Sequence, residues 1–523
     1  MNTLTWHTLS QSLPGGPRRV ALGIFDGLHV GHRAVLSHTL DGEELPTVLT
    51  LTNTAKASAP LLSEEETAKI FGQIGIRDWI RMDIDQLKHL SPTEFVEQVL
   101  RDTLNATAVC CGYNYRFGKD RAGDVDTLRA LCAQNGITVT VVPPVEVDGQ
   151  PVSSTRIRGC IAAGDMLTAA RLLGYPYTLT APVEHGHQLG RKLGFPTINQ
   201  RFPADRPVPR HGVYASAVLV DGHTTYGVTN IGCHPTVNPA ETPLAETWLP
   251  TFEGDLYGHT VSVSPLYFLR PEQSFDSLEA LTAAVRENGE QARRLFDGDP
   301  GDHTVKAVLF DFDDTLHDRR IAFEDFAYAL LDELFPQWDD SLRRERAHRM
   351  MVANNGGYVP SYEAYFEGLL TEWEWPPEWD AVALANRTRR LFPDYTHPFP
   401  DAVATLKALR ERGYRLGMVT NGYSQTQNRK VDVVGMRELV DVVVVSGDEG
   451  IAKPEAELFR RAAARLGVPL QNCLYVGDHP VNDIKGALNS GMQAVYMDAF
   501  EVHAADPTVP RITALSELIG ILS

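Results

Sequence analysis

Two stretches of this chain alternate strand-like apolar runs with helical patterns, and between them lies a block of short β-rich runs. That change of period limits what the chain can fold into more than any other feature. From Arg18 to about Gly174 the runs "RRVALGIF", "TVLTLT", "DWIRMDI", "TAVCCGY" and "ITVTVVPPV" are separated by helical patterns, which predicts a parallel sheet with helices on its faces. One helix is well marked: "SPTEFVEQVLRDTL" offers Ser91 as N-cap, Pro92 at the first helical position and Glu94 to close a capping box. From about Tyr177 to Arg270, "GVYASAVLV", "TYGVTNIG" and "HTVSVSPLYFL" are punctuated by Gly and Pro, and the helical "SLEALTAAVRENGEQARRLF" follows. This block predicts a small β-barrel with one C-terminal helix.

Alternation resumes at Val305 ("AVLFDFD", "YRLGMVTN", "VDVVVVSG", "CLYVGD", "MQAVYMD"), but 107 positions separate Asp313 from Thr420, too many for one strand–helix step. A helical insertion at about 318–398, carrying "IAFEDFAYALLDELF" and the Trp-rich "EWEWPPEW", is therefore expected. The fold class is α/β multidomain: an α/β unit at 1–176, a barrel at 177–297, a polar linker at 298–304 and a second α/β unit at 305–523. A length of 523 residues fits this division.

The formal net charge of −19 argues against a general polyanion-binding surface and so against a nucleic-acid partner; any phosphate handled here is expected on a small molecule. No apolar run approaches the roughly 20 residues of a membrane helix, and the first 20 residues have no signal core, which points to a cytoplasmic protein without a membrane partner. Six scattered cysteines form no CxxC or Cys/His cluster and imply neither disulfides nor zinc.

Three motif groups carry chemistry. "GIFDGLHVGH" joins a strand, a Gly turn and a helix start, with His29 and His32 three apart. Backbone N–H groups at such a start bind phosphate, and two imidazoles on one face can stabilise a transferring phosphoryl group. "GRKLGFPTIN" places two glycines before Pro196, which presents Thr197 and Asn199, a hydroxyl and an amide oxygen suited to Mg²⁺ on a nucleotide phosphate. "DFDDT" sets Asp311 and Asp313 two apart after a strand, one able to attack phosphorus and the other to protonate the leaving oxygen.

The first group, with "CGYNYRFGKDRAGD" and "VSSTRIR", resembles the nucleotidyltransferase module of the bacterial bifunctional riboflavin kinase/FAD synthetase family. The resemblance implies a Rossmann-like fold, with ATP as co-substrate adenylylating FMN to FAD. His29 and His32 would steady the α-phosphate, Ser154, Thr155 and Arg158 the outer phosphates, and Gly27 and Asn114 would line the nucleotide pocket. One departure is "TLTNTAKASAP" from Thr50, which lacks the Pro-His-Pro turn of many members.

The second group, with "HGVYAS", "GVTNIGCHPTV" and "AETWLPTFEGDLYG", is similar to the kinase of the same family. It implies that Glu246 takes the proton from the riboflavin 5′-hydroxyl, that Thr197 and Asn199 hold Mg–ATP, and that Gly190, Lys192 and Gly194 bind the nucleotide. His234 stands where arginine is expected.

The third group, with "MVTNG", "AKPE" and "VGDHPVND", resembles the haloacid dehalogenase-like phosphatases. The resemblance implies Asp311 as nucleophile, Asp313 as acid/base, Thr420 and Lys453 holding the phosphoryl group, and Asp311, Asp313, Asp478 and Asp483 around Mg²⁺ beneath a helical cap. Trp373, Trp375 and Trp379 either stack on a flat ligand or pack within that cap. The expected partners are riboflavin, FMN, ATP and a phosphate ester, whether FMN itself, a ribitylaminopyrimidine phosphate of the flavin pathway or another small phosphate. Two alternatives are a kinase and phosphatase with a degenerate adenylyltransferase, and a flavin- or nucleotide-binding scaffold with little turnover.

Overall fold

Val20, Ala21 and Leu22 are each almost fully buried, as on a strand covered on both faces, and the sheet around them is parallel throughout. The computed structural model describes residues 2–6, 15–52, 59–186, 190, 193–232, 242–299, 301–357, 359–500 and 508–522. The first sheet comprises β1 (Asn2–Trp6), β2 (Arg18–Leu22), β3 (Leu45–Thr52), β4 (Asp78–Asp83), β5 (Ala106–Gly112) and β6 (Thr138–Val142), in the order β1-β4-β3-β2-β5-β6. The strand order reverses at β2. Its helices include α1 (Val30–Ser37), α2 (Glu64–Ile74) and α3 (Ser154–Ala163). The capping box forms as its sequence predicts: Glu94 N donates to Ser91 Oγ at 3.2 Å and Ser91 N donates to Glu94 Oε2 at 2.7 Å.

The second sheet is antiparallel: β7 (Leu179–Pro182), β8 (Thr197–Arg201), β9 (Gly212–Val220), β10 (His223–Gly232), β11 (Leu244–Trp248) and β12 (Thr260–Arg270), in the order β8-β11-β10-β9-β12-β7. Its ends meet: Glu184 N donates to Asn199 O at 2.8 Å, and Gln200 Nε2 donates to Ala181 O at 2.7 Å and Val261 O at 2.8 Å. That closure removes the exposed edges and makes a barrel. Helix α4 (Leu278–Phe296) packs Ala292 against Val213, Ala215, Tyr226 and Val228.

The third sheet is parallel again: β13 (Ala307–Phe310), β14 (Arg415–Thr420), β15 (Val442–Val445), β16 (Cys473–Gly477), β17 (Gln493–Met497) and β18 (Arg511–Ile512), ordered β15-β14-β13-β16-β17-β18. Between β13 and β14 the chain builds a helical cap from α5 (Arg319–Leu334), α6 (Asp340–Asn354), α7 (Tyr362–Leu369) and α8 (Ala381–Leu391). The cap has its own core around Phe323, Phe326, Phe366 and Phe392, and Trp373, Trp375 and Trp379 pack against it. Cap packing is thus what those tryptophans do.

The units touch one another. Helix α9 (Ser424–Val433) lies against α1 and α2, and α10 (Ala456–Leu466) lies against β10. Arg461 Nη2 donates to Gly222 O at 2.6 Å, Thr224 N donates to Glu457 Oε1 at 2.8 Å, and Ala464 joins Ala217 and Leu266 in one apolar cluster.

Phe459 of α10 is fully buried, its ring 5.0 Å from that of Tyr475. Phe459→Ala should cost the third unit about 3–5 kcal/mol through the cavity it leaves. Urea denaturation followed by tryptophan fluorescence checks this, because Trp338, Trp373, Trp375 and Trp379 all report from that unit.

Candidate active sites

In an open parallel sheet, ligands bind beyond the carboxyl ends of the strands where the strand order reverses. In the first sheet that point is the end of β2, and the Gly23–His32 segment occupies it. Gly27 has φ of +79°, and a Cβ there would come within 2.6 Å of Leu61 Cδ1, so the tight turn into α1 requires glycine. His29 is the N-cap of α1: its Nδ1 accepts from His32 N at 3.2 Å, which leaves the proton on Nε2. The two rings stack 3.6 Å apart. Burial pushes His29 down to about 4; burial and the neighbouring His29 push His32 well below its usual range. Both imidazoles are neutral near pH 7, so each can offer an N–H rather than a positive charge.

Ser154 Oγ donates to Asp26 O at 2.9 Å, Arg158 forms an ion pair with Asp26, and Arg158 Nε donates to Ala59 O at 3.0 Å. The histidine turn and the start of α3 are thereby drawn together through Asp26. Thr155 is exposed at the start of α3, and Asn114 is exposed on the turn after β5, the neighbour of β2. Most of the segment lacking a Pro-His-Pro turn, residues 53–58, lies outside the described residues, as do Lys192 and His234.

In the barrel, Asn199 on β8 pairs directly with Glu246 on β11, and Glu246 is also the cross-strand partner of Asn230. Asn199 is 6% exposed, and its Oδ1 accepts no hydrogen bond among the described residues. A buried amide oxygen without a donor, on the strand that carries Thr197, suits a hard cation such as Mg²⁺. Gly186 runs so close to the Asn199 side chain that a Cβ would overlap it, and a Cβ at Gly190 would overlap the Phe195 carbonyl. Gly194 has φ of +85°. Of these, Gly186 brings the backbone in close against Asn199, and Gly190 packs the turn against the strand that carries Thr197.

In the third sheet the order reverses at β13, whose end delivers Asp311, flanked by Thr420 at the end of β14 and Asp478 after β16. Lys453 Nζ lies 2.6 Å from Asp311 Oδ1, 2.7 Å from Asp483 Oδ1 and 3.1 Å from Tyr475 Oη. Ligand atoms of Asp311, Asp478 and Asp483 all lie within 4.8 Å of one another. Three carboxylates cluster beside one ammonium, which pairs with two of them, Asp311 and Asp483. Burial pushes Asp311 up to about 7 despite Lys453, and burial followed by repulsion from Asp483 and Asp311 pushes Asp478 well above its usual range. Such an excess of hard anionic oxygen fits a divalent cation. The Asp313 side chain is not brought into this trio: Lys430 Nζ lies 2.7 Å from its Oδ1, and Gln427 Nε2 donates to its Oδ2 at 2.8 Å. Burial, the largest single influence, pushes Asp313 up, but Lys430, with His317 and Arg319, holds it below the usual carboxylate range.

Asp26, Gln427 and Lys430 are the polar residues that motif reading passed over. Asp26 stands inside "GIFDGLHVGH", and Gln427 and Lys430 stand three apart in "SQTQNRKVDV", just after "MVTNG". The i, i+3 spacing on one helical face is a signal that could have found the latter pair.

Comparison with known proteins divides the chain in the same way. Residues 16–156 match the FAD synthetase family model, 173–296 the riboflavin kinase model and 305–491 the haloacid dehalogenase-like hydrolase model. A bifunctional riboflavin kinase/FMN adenylyltransferase of Pseudomonas fluorescens is 38% identical over 288 residues, covering 52% of this chain and 91% of that protein. This chain belongs to the bifunctional riboflavin kinase/FMN adenylyltransferase family. The Listeria monocytogenes member is 32% identical over 53% of this chain and 92% of its own length. Among solved structures, one described as a macrolide-efflux protein from Streptococcus pneumoniae has a TM-score of 0.50 at 26% identity, covering 56% of this chain and 98% of that chain. A haloacid dehalogenase-type phosphatase from Thermococcus onnurineus has a TM-score of 0.30 at 28% identity, covering 42% of this chain and 98% of that one. The family relatives span the first two units, and the hydrolase unit is fused behind them.

Because the folded-state pKa of Asp311 is raised from 3.8 to about 7, the folded chain keeps a proton that the unfolded chain sheds. Asp311 therefore favours the folded state below about pH 4, and that contribution is lost as pH rises toward 7. In chelator, Asp311→Asn should gain in melting temperature over the wild type across this window, and millimolar Mg²⁺ should close the gap. Melting curves of both proteins at several pH values, with and without Mg²⁺, read the outcome.

Proposed function

We propose that the chain phosphorylates riboflavin to FMN in the barrel, adenylylates FMN to FAD in the first crevice and hydrolyses a small phosphate monoester in the third. The register of Asn199 against Glu246 is the observation that carries the kinase reading, because it sets a carboxylate beside a candidate metal ligand on paired strands. Glu246 takes the proton from the riboflavin 5′-hydroxyl as that oxygen meets the γ-phosphorus of ATP, and ADP leaves. Thr197 and Asn199 are assigned to Mg–ATP, with Gly190 and Gly194 letting the backbone approach the phosphates.

In the first crevice the FMN phosphate displaces pyrophosphate at the α-phosphorus of ATP. His29 and His32 donate N–H hydrogen bonds to the oxygens there, and the start of α3, with Ser154, Thr155 and Arg158, receives the outer phosphates. Neutral imidazoles suit this task, since positioning supplies most of the catalysis and no covalent enzyme intermediate forms.

In the third crevice Asp313 takes a proton from solvent as the dianionic ester enters, Asp311 attacks phosphorus, the ester bond breaks and Asp313 hands that proton to the leaving oxygen. Water then attacks the aspartyl-phosphate, Asp313 takes its proton, and inorganic phosphate leaves. Lys453 and Thr420 are assigned to the phosphoryl oxygens. Asp311, Asp478 and Asp483 would hold Mg²⁺, which when bound neutralises charge on the phosphoryl group. We assign the ester to the flavin pathway, because the third unit is fused to and packed against two flavin-handling units. Among the described residues no helix is long and apolar enough to cross a membrane, and the use of ATP supports a cytoplasmic setting.

A chromatographic time course with riboflavin, ATP and Mg²⁺ tests each assignment. Glu246→Gln should slow FMN formation by about 10²–10⁴-fold while still converting supplied FMN to FAD. His29→Ala should form FMN without FAD. Asp311→Asn should keep both syntheses. If FMN or FAD then accumulates beyond the wild-type level, FMN is the ester hydrolysed; coincident courses leave a ribitylaminopyrimidine phosphate as the ester to supply.

A further inference from the structure

Helix α9 starts four residues after Thr420 and turns two different faces to two different neighbours. On one face are Gln427 and Lys430, each 2% exposed. Lys430 Nζ sits 2.7 Å from Asp313 Oδ1, while Gln427 Nε2 lies 2.8 Å from Asp313 Oδ2 and 2.6 Å from Thr420 Oγ1. Both oxygens of Asp313 are thus pinned by a buried fork, and the Lys430 ammonium lies 5.0 Å from the centre of the Phe392 ring of the cap. Lys453 serves a different pair, Asp311 and Asp483.

The other face fixes the helix. Arg429 Nη1 donates to Ser37 O at 3.0 Å, its Nη2 reaches Asp41 Oδ1 at 3.1 Å, and it pairs with Asp394 beneath the cap. Ser424 Oγ donates to Gln73 O and Gln425 Nε2 to Gly72 O, both at 3.2 Å. The helix that grips Asp313 is therefore held by α1, by α2 and by the cap.

We propose that Lys430 is a positioning residue of the phosphatase, which with Gln427 aims the Asp313 carboxyl at the leaving oxygen of the ester. This rests on the phosphatase reading of the third unit. A carboxyl group free to rotate would present either oxygen in many directions, and proton transfer needs one oxygen within about 2.6–3.2 Å of its target. Ammonium and amide donors arriving from one rigid helix select that orientation.

The test compares wild type, Lys430→Met and Lys430→Arg as full chains, with riboflavin kinase rate and melting temperature as folding references. Single-turnover release of the leaving group is measured for p-nitrophenyl phosphate, whose leaving group needs little protonation, and for glycerol 2-phosphate, whose alkoxide needs it fully. Lys430→Met should lose about 10–100-fold on the alkyl ester and under about 5-fold on the aryl ester, a fraction of what a proton donor supplies. Lys430→Arg, which keeps the charge and the donors, should recover part of the alkyl-ester loss. Equal losses on both esters, or no loss, would overturn the proposal. Should Lys430→Met fail to fold, Lys430→Gln is read by the same ratio. Failure of the wild type on both esters would remove the phosphatase reading, and this proposal with it.

Discussion

A parallel sheet leaves one crevice at its carboxyl edge, where consecutive crossovers leave in opposite directions, and both α/β units of this protein depend on that constraint. At the end of β2 it holds the N-terminus of α1 and the two stacked histidines; at the end of β13 it holds Asp311. The chemistry differs because the side chains differ. Neutral imidazoles beside helix N–H groups line the first crevice, whereas a carboxylate cluster around Lys453 lines the other. The barrel between them solves a separate problem. Closing the sheet through Glu184 and Asn199 sets a buried amide oxygen and Glu246 side by side on paired strands.

Charge is what holds the units in register. Arg429 is 5% exposed and has partners in the first unit and beneath the cap, and Arg387 and Arg390 of α8 both reach Glu43. Arg461 does the same between α10 and the barrel. Exposed ion pairs contribute little singly, but a guanidinium buried with several acceptors is costly to strand, so separating the units would leave Arg429 without the first unit's two acceptors. Docking and the placement of the Asp313 carboxylate are linked through one helix.

Much of the site was legible because its parts are consecutive. "GIFDGLHVGH", "GRKLGFPTIN" and "DFDDT" each place their chemistry within about ten residues, and strand or turn period locates them at element ends. Asp26 was in plain view yet silent, since its role appears only when α3 returns from more than a hundred residues away to present Ser154 and Arg158. Lys430 was silent for the same reason: nothing local separates it from a solvated helical lysine, and only burial against Asp313 and Phe392 does so.

The sequence by itself determined the order and type of the three units, the turns that require glycine and the motifs that mark each crevice, because these rest on local periodicity and on contiguous motifs. The tertiary structure alone decided that Asp311, Asp478 and Asp483 cluster, two of them paired to Lys453, that the Asp313 side chain stands apart from them in the grip of α9, and that the cap tryptophans pack within the cap. Those outcomes depend on which distant side chains lose their water together. Spacing along the chain does not encode that, and folding does.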